Sequence, residues 1–381
     1  MRKIKNKHLL VLVLILIVAS IPLLFYISSF KTIDFLKIMK LSPKLNTSNG
    51  DFLSPITSSP IVNTEILVSF AGDCTLGTDD NFPYAASLPG VIKAKGNDYS
   101  YLFKNVSSVF NSDDITTVNL ETALTNSTGK RDKGPNSFNF KGIPEMAKAL
   151  TLGGIEAVNI SNNHINDYGS TGIADTKTSL KAENIGFFGE GTTYLKDIKG
   201  IKIGFLGYQG WSDDSGFLKK IKSDIEAIKK ECNFVIINFH WGIEAQYYPN
   251  DVQKHIAHYA IDNGADLIIG HHPHVIEGIE KYKDKLICYS LGNFCFGGNS
   301  GVGDNQTFIF QVKLDFLGNN MNSLEVRAIP CSVSSVDYQN DYCPTPSLGS
   351  KKETILNKLN ALSFNLDFKI SDSFNKIYLD K

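Results

Sequence analysis

The chain has 381 residues, 42% of them hydrophobic and 20% charged, an ordinary globular composition that excludes general disorder and allows one large core or two modest ones. Its formal net charge of −1 hides an asymmetry: Arg2, Lys3, Lys5 and Lys7 precede every acidic residue, and without them 34 basic residues face 39 acidic ones, a net −5. A mildly acidic body argues against nucleic acid as a partner, and any anionic substrate needs a local basic patch.

Residues 1–8 read as a cytoplasmic basic tail. Leu9 to Ile27 is nineteen residues without a charge, long enough to cross a bilayer, and residues 9–28 are assigned to a transmembrane anchor. The basic flank stays cytoplasmic, so the main domain is expected outside the cell membrane in a single-pass arrangement. A cleaved signal peptide ends its short apolar core in a small-x-small site. Here the apolar stretch runs through Ala19 and Ser20 into Pro22, Leu23, Leu24 and Phe25, which favours an uncleaved anchor. Fifteen of the 23 residues from Ser42 to Thr64 are Ser, Thr, Asn, Pro or Gly, so residues 29–64 form a flexible linker and the folded domain begins at Glu65.

From there strands and helices alternate. Ile66 to Ala71 reads as a strand stopping at Gly72-Asp73, and Thr116 to Asn119 as another leading into Leu120-Glu121. Pro144 to Leu152 suits a helix closed by Gly153-Gly154, and Ile155 to Ile160 is the next strand. A helix over Gly172–Ala182 follows, then strands at Gly186–Phe188 and Ile201–Leu206, a helix over Phe217–Lys230, the strand Phe234–Phe239 and a helix over Asp251–Asn263. Such alternation marks an α/β sheet, whose sites gather beyond the carboxyl ends of its strands. From Lys285 on, Leu286–Ser290, Thr307–Leu314 and Leu324–Pro330 are strands joined by Gly- and Asn-rich turns, read as an antiparallel addition. The domain is taken to span 65–345, with a C-terminal extension at 346–381 of one amphipathic helix and a polar tail. Six cysteines form no CxxC pair, and several fall in strands as small buried hydrophobes.

The densest chemistry lies at Ala265 to His274. Leu267–Ile269 is a short β-branched strand, Gly270 ends it, and three of the eight histidines follow. In extended backbone His272 and His274 share a face and His271 points the other way, with Pro273 preventing helix between them. Two parallel imidazoles are half of a site for a divalent first-row metal. Asp73, Asn119, Glu121, Asn163, His164 and His240 also lie at or just past strand ends. One sheet edge would unite them as the mixed nitrogen and oxygen donors of a hydrolytic site, with one or two metals. Glu244 is placed to orient a ligand histidine, and Asn293 to point into the same crevice. Arg131 and Lys133, in a segment with Lys130, Lys141, Phe138 and Phe140, are the best candidates for holding an anion.

Several stretches resemble those of the CapA or poly-γ-glutamate capsule synthesis proteins, whose domain is similar to the calcineurin-like metallophosphoesterases. They are Phe70-Ala-Gly-Asp73, Asn119-Leu-Glu121-Thr, Ser161-Asn-Asn-His164, His240-Trp-Gly-Ile-Glu244, Gly270-His-His-Pro-His274-Val and Ser290-Leu-Gly-Asn-Phe294, in that order over about Glu65 to Pro330. The resemblance implies a layered α/β/β/α sandwich preceded by one transmembrane helix. It implies a metal carboxylate at Asp73, a bridging carboxylate at Glu121, an amide ligand at Asn163 and imidazole ligands at His240, His272 and His274. His164 would be the non-ligand histidine that protonates a leaving group, and His271 would stand behind the ligands. The metals implied are Mn, Fe, Zn or Mg. One departure is plain: Asp73 is followed by Cys74 and Thr75, so the histidine of the phosphoesterases' Asp-x-His motif is missing. The expected function is capsule synthesis, export or anchoring at the cell surface, with a metal-dependent hydrolase site and poly-γ-glutamate, the membrane and other synthase subunits as partners. The alternative is a non-catalytic polymer-binding or scaffold subunit.

Overall fold

Runs rich in Val, Ile and Phe build two sheets that face each other. The computed structural model describes residues 62–378 apart from 136, 299, 300 and 302, so the basic tail, the anchor and nearly all of the linker lie outside the described residues. Among the described residues no helix is long and apolar enough to cross a membrane. The larger sheet runs in spatial order Thr345–Pro346, Asn320–Ser332, Gln306–Leu317, Asn63–Thr75, Ile115–Leu120, Ala157–Asn159 and Gly186–Phe188, with Asn293–Phe296 beside Asn63–Thr75. The second runs Ile276–Tyr282, Lys285–Leu291, Leu267–His271, Phe234–Trp241, Ile201–Gly210 and Tyr194–Ile198. Val68, Phe70 and Phe310 of the first meet Ile236, Ile269 and Leu286 of the second in a shared core.

Helices cover the outer faces. Leu102, Phe103, Leu150 and Leu180 pack on the larger sheet, and Ile221, Ile225, Ile256 and Ala260 on the second, giving the order α/β/β/α. Each fully buried side chain of this kind contributes about 1.5–3 kcal/mol. Apolar packing of this extent positions the strand ends, and the charged groups at those ends are carried by it.

Parallel neighbours deliver those ends to one edge. Asn63–Thr75, Ile115–Leu120 and Ala157–Asn159 run parallel, in register Asp73 to Asn119 to Asn159. In the second sheet Phe234–Trp241 and Leu267–His271 run parallel, pairing His240 with His271.

Element boundaries moved where tertiary packing extends a strand past its apolar run. Asn63–Thr75 carries Asp73 inside the strand, with a register shift between Phe70 and Asp73. Leu267–His271 passes through Gly270, which is required there because a Cβ would meet the Tyr289 carbonyl oxygen at 1.9 Å. Polar edge strands escape a reading based on apolar runs, and Tyr194–Ile198 is of that kind. The region after Lys285 is not an addition. Lys285–Leu291 pairs parallel with Leu267–His271, and Gln306–Leu317 pairs antiparallel with Asn63–Thr75 at the heart of the larger sheet. The tail after the helix Gly349–Leu362 ends in a strand, Asn375–Tyr378, on the edge of Asn320–Ser332. All six cysteines are free and five are buried.

One buried carboxyl outside the strand-end cluster makes stability pH-dependent. Glu277 is buried with a single partner, Gln253 Nε2 at 2.8 Å, and burial pushes its pKa up to about 8. An acid with a raised folded pKa binds more protons folded than unfolded, so stability falls as pH rises from about 4.5 to about 8. Glu277→Gln is expected to flatten that decline in melting temperature measured across the window. An unchanged slope in the variant would assign the decline to other groups.

Candidate metal centre

Five strand ends meet around Glu121. Asp73 lies near the end of its strand beside Gly292, whose carbonyl accepts the Asp73 amide at 3.0 Å. Gly72 permits that approach, since a Cβ there would meet the Gly292 oxygen at 1.9 Å. Glu121 follows Ile115–Leu120 and donates its amide to the Cys74 carbonyl at 2.9 Å. Asn163 and His164 ride on a turn set by Asn162, whose Oδ1 accepts the amides of His164 and Ile165 at 3.2 and 2.9 Å. His240 lies inside Phe234–Trp241, fully buried.

The backbone after His271 is not extended. His272 has φ 97° and His274 φ 58°, left-handed values that cost of the order of 1–3 kcal/mol each in a non-glycine residue. The simple alternation of faces therefore fails, and all three histidines turn inward. His271 Nδ1 lies 3.4 Å from Asp73 Oδ1, and His274 Nδ1 lies 3.3 Å from Asp73 Oδ2. The His272 ring stands 4.8 Å from that of His240 and 5.6 Å from that of His274, centroid to centroid.

The two carboxylates differ in their company. Asp73 is well supplied with donors: Asn119 Nδ2 reaches Oδ1 at 2.8 Å and the His272 amide reaches Oδ2 at 3.2 Å. Burial alone would push its carboxyl up, but hydrogen bonds and charge from His271 and His274 outweigh it and hold the carboxyl well below the ordinary range. Glu121 is fully buried and neither oxygen has a hydrogen-bond partner, so burial pushes its pKa well up, against the pull of His274. Around Oε1 stand His240 Nε2 at 3.5 Å, His274 Nε2 at 3.8 Å and His164 Nε2 at 4.0 Å. His272 Nδ1 is likewise buried without a partner among the described residues.

A buried carboxylate with nothing to accept is costly unless a cation completes it. Two sets of donor atoms, each within 4.8 Å of one another, share Glu121: Glu121 with His272 and His274, and Asp73 with Glu121 and His240. Orphaned oxygen and nitrogen donors of this kind fit a divalent first-row metal. The surrounding amides orient the imidazoles. Asn293 Oδ1 lies 2.9 Å from His274 Nδ1, so Nδ1–H donates and Nε2 is left facing Glu121. His240 lies between two amides, with Asn119 Nδ2 3.2 Å from Nδ1 and Asn163 Oδ1 2.7 Å from Nε2. His274 is raised to about 9: burial opposes the shift, and Glu121 and Asp73 overcome it. Burial and the charge of His274 bring His272 down to about 4.

On the other side His164 forms a dyad that the sequence reading missed. Its Nδ1 lies 2.7 Å from Asp167 Oδ2, and Asp167 Oδ1 takes Lys133 Nζ at 2.7 Å. Nδ1–H donates to the carboxylate, and Nε2 faces the centre. Burial lowers the pKa of His164 despite Asp167. A carboxylate three residues after the histidine was the available signal.

Several candidates stand in other roles than expected. Lys133 is turned inward, held by Asp167 and by the Phe138 carbonyl at 3.0 Å, and so is not free for an anion. Lys130 pairs with Asp80 at 2.6 Å and Lys141 Nζ is held by the Ser127 carbonyl at 3.1 Å, which leaves the exposed Arg131 side chain as the cation of that segment without a side-chain partner among the described residues. Asn119 is no ligand, because its carbonyl accepts from Asn159 Nδ2 at 3.0 Å and Asn162 Nδ2 at 3.2 Å. Glu244 is exposed, forms no hydrogen bond to any histidine, and acts on Glu121 and His274 through its charge. Cys74 and Thr75 supply no donor in place of the missing histidine: the Cys74 thiol is buried, with its pKa pushed up, and the Thr75 hydroxyl donates to the Glu121 carbonyl at 3.2 Å. Trp211, unremarked in the sequence, stands edge-on to His240 and His272 with centroids 5.7 and 4.7 Å away.

A family model described as bacterial capsule synthesis protein PGA_cap matches residues 67–298. The "PGA biosynthesis protein CapA" of Bacillus subtilis (strain 168) is 29% identical over 353 residues, 87% of this chain and 83% of that protein. The "Capsule biosynthesis protein CapA" of Bacillus anthracis is 28% identical over 259 residues, 61% of this chain, which spans 60% of that relative's length. A solved structure, a hypothetical protein from Thermus thermophilus, is 16% identical with a TM-score of 0.42, covering 70% of this chain and 99% of that one.

Proposed function

The chain belongs to the bacterial capsule synthesis protein family PGA_cap, and from that premise we propose that it serves poly-γ-glutamate capsule synthesis, export or anchoring at the cell surface through a metal-dependent, hydrolase-type centre. The observation that carries the metal is Glu121, a fully buried carboxylate with no hydrogen-bond partner and three histidine nitrogens within 4.0 Å of one oxygen. In this reading Asp73, Glu121, Asn163, His240, His272 and His274 hold one or two divalent ions. A bound divalent ion supplies Lewis acidity and a water made acidic enough to yield hydroxide near neutral pH.

The chain's own groups do the rest. Asn119, Asn293 and Asn238 orient Asp73 or the imidazoles, Asn238 through Oδ1 at 3.0 Å from His271 Nε2. His164, held by Asp167 through Nδ1–H, presents Nε2 to the crevice, and its imidazolium form gives the Nε2 proton to a departing group and is left as the neutral ring. Arg131 gives an anionic polymer a cation at the rim. The layered fold is read as metallophosphoesterase-like, and residues 9–28 as the anchor that keeps the domain outside the membrane.

A non-catalytic polymer-binding or scaffold role is favoured by one observation, the absence of any donor at Cys74 and Thr75 where the phosphoesterases carry a histidine. Metal content of the purified protein, with hydrolysis of a generic phosphodiester, separates the two for wild type and His272→Ala. Metal and turnover both lost in the variant is the result expected. Metal without turnover moves the reading to the scaffold role or to a substrate outside the phosphoesters, and no metal in the wild type sinks the centre.

A further inference from the structure

A cavity of about 300 Å³ opens beside the centre, lined among others by Ser161, Glu190, Thr193, Gln209, Lys220 and Asp224. It is joined to the histidines by a short relay. Gln209 lies in register with His240, accepts Trp211 Nε1 at 3.1 Å, and donates to Glu190 Oε1 at 3.1 Å. Ser161 Oγ donates to the same Glu190 oxygen at 3.2 Å. Glu190 is held over the cavity by three successive left-handed residues, Gly189 at φ 100°, Glu190 at φ 49° and Gly191 at φ 75°. Trp211, 46% exposed, is hydrogen-bonded to Gln209 of the cavity wall and stands edge-on to His272.

The charges around this cavity offset one another. Lys220 Nζ pairs with Asp224 Oδ2 at 2.6 Å, Tyr208 donates to the same oxygen at 2.8 Å, and Lys177 reaches Thr192 Oγ1 at 3.2 Å. Glu190 Oε2 and Asp224 Oδ1 keep no hydrogen bond among the described residues, and neither does the Thr193 hydroxyl. A carboxylate ligand would face Glu190 and Asp224, and an alkylammonium would face Lys177 and Lys220. A ligand whose every polar group both donates and accepts meets neither penalty. Vicinal hydroxyls have that property, and Leu206 and the Tyr208 ring in the lining offer apolar surface to the C–H face of a pyranose.

We propose that this cavity is a sugar-binding subsite beside the metal centre. Sugar binding itself is independent of the metal; its role as the seat of a second substrate rests on the reading above. The polymer's carboxylates belong at the rim near Arg131 instead.

The chain has two tryptophans and Trp241 is fully buried, so the solvent-sensitive emission belongs to Trp211. The full-length protein is titrated with glucose, N-acetylglucosamine and short oligomers of each, and with γ-glutamyl oligomers as the anionic comparator. The result expected is a saturable emission change with at least one sugar, with Kd on the order of millimolar. Glu190→Ala and Lys220→Ala should each weaken it at least about tenfold, with metal content and melting temperature unchanged; Lys220 is exposed on its helix, so that variant keeps its fold. The subsite is overturned if no sugar perturbs Trp211 or gives a saturation-transfer signal, if both variants bind as wild type does, or if γ-glutamyl oligomers take the cavity instead. The titration is repeated after chelation: retained sugar binding supports the subsite and its loss overturns it. Failure of the wild type to bind any metal overturns the metal reading alone.

Discussion

Glu121→Gln is expected to abolish metal binding and to leave the metal-free protein at least as stable as the wild type. The carboxylate is fully buried and neither oxygen is satisfied by a protein donor, so in the metal-free chain its charge is a cost with no compensating bond. An amide of the same shape removes the charge and with it the shared oxygen of both donor sets. Ligand that binds only the folded state stabilises it by about 2.7 kcal/mol at a hundred times Kd, so chelation should lower the melting temperature of the wild type and not of the variant. Metal content and melting curves with and without chelator decide it. A variant that retains the wild-type complement of metal would remove Glu121 from the centre.

Affinity carries a pH dependence of known sign. His274 is protonated in the metal-free protein up to about pH 9, so binding a cation at its Nε2 releases a proton and affinity rises as pH climbs toward that value. The same raised pKa stabilises the metal-free fold fully below about pH 6.5, and that contribution is lost as pH rises through about 9. Metal and alkali therefore act in opposite directions on stability, and titrating melting temperature with and without metal separates them.

His164→Gln is expected to lower turnover by about 10²–10⁴-fold while metal content stays at the wild-type level, the signature of a proton donor that is not a ligand. The geometry behind this is directional: Asp167 holds Nδ1 at 2.7 Å, and Nε2 is left facing the crevice 4.0 Å from Glu121. Asp167→Asn keeps a hydrogen-bond partner and removes the charge that opposes burial, so the already lowered pKa of His164 falls further. The titration of the His164 ring by NMR reads that shift directly, and the arm of the pH–rate profile that reports it should move with it. Loss of metal in His164→Gln would make the histidine a ligand instead of a donor.

Much of this molecule was legible before folding. The Val- and Ile-rich runs at Leu267–Ile269 and Phe234–Phe239, and the capped helix Asp251–Asp262, are local consequences of apolar periodicity and of the Asn250–Gln253 capping box. Asp73, Glu121, Asn163, His240 and His274 also stood out, because polar residues at the ends of apolar strands have few other reasons to be there. What the chain could not convey was orientation. Whether His271 turns away or inward depends on left-handed φ values at His272 and His274, and whether Lys133 meets solvent or Asp167 depends on a loop closing over His164. Edge strands such as Tyr194–Ile198 acquire much of their structure from the neighbour they pair with, and their polar residues leave no apolar run to announce them. Local propensity set the elements and the donor types; the packing of two sheets, through contacts between residues far apart in sequence, decided which donors share Glu121 and which merely hold them in place.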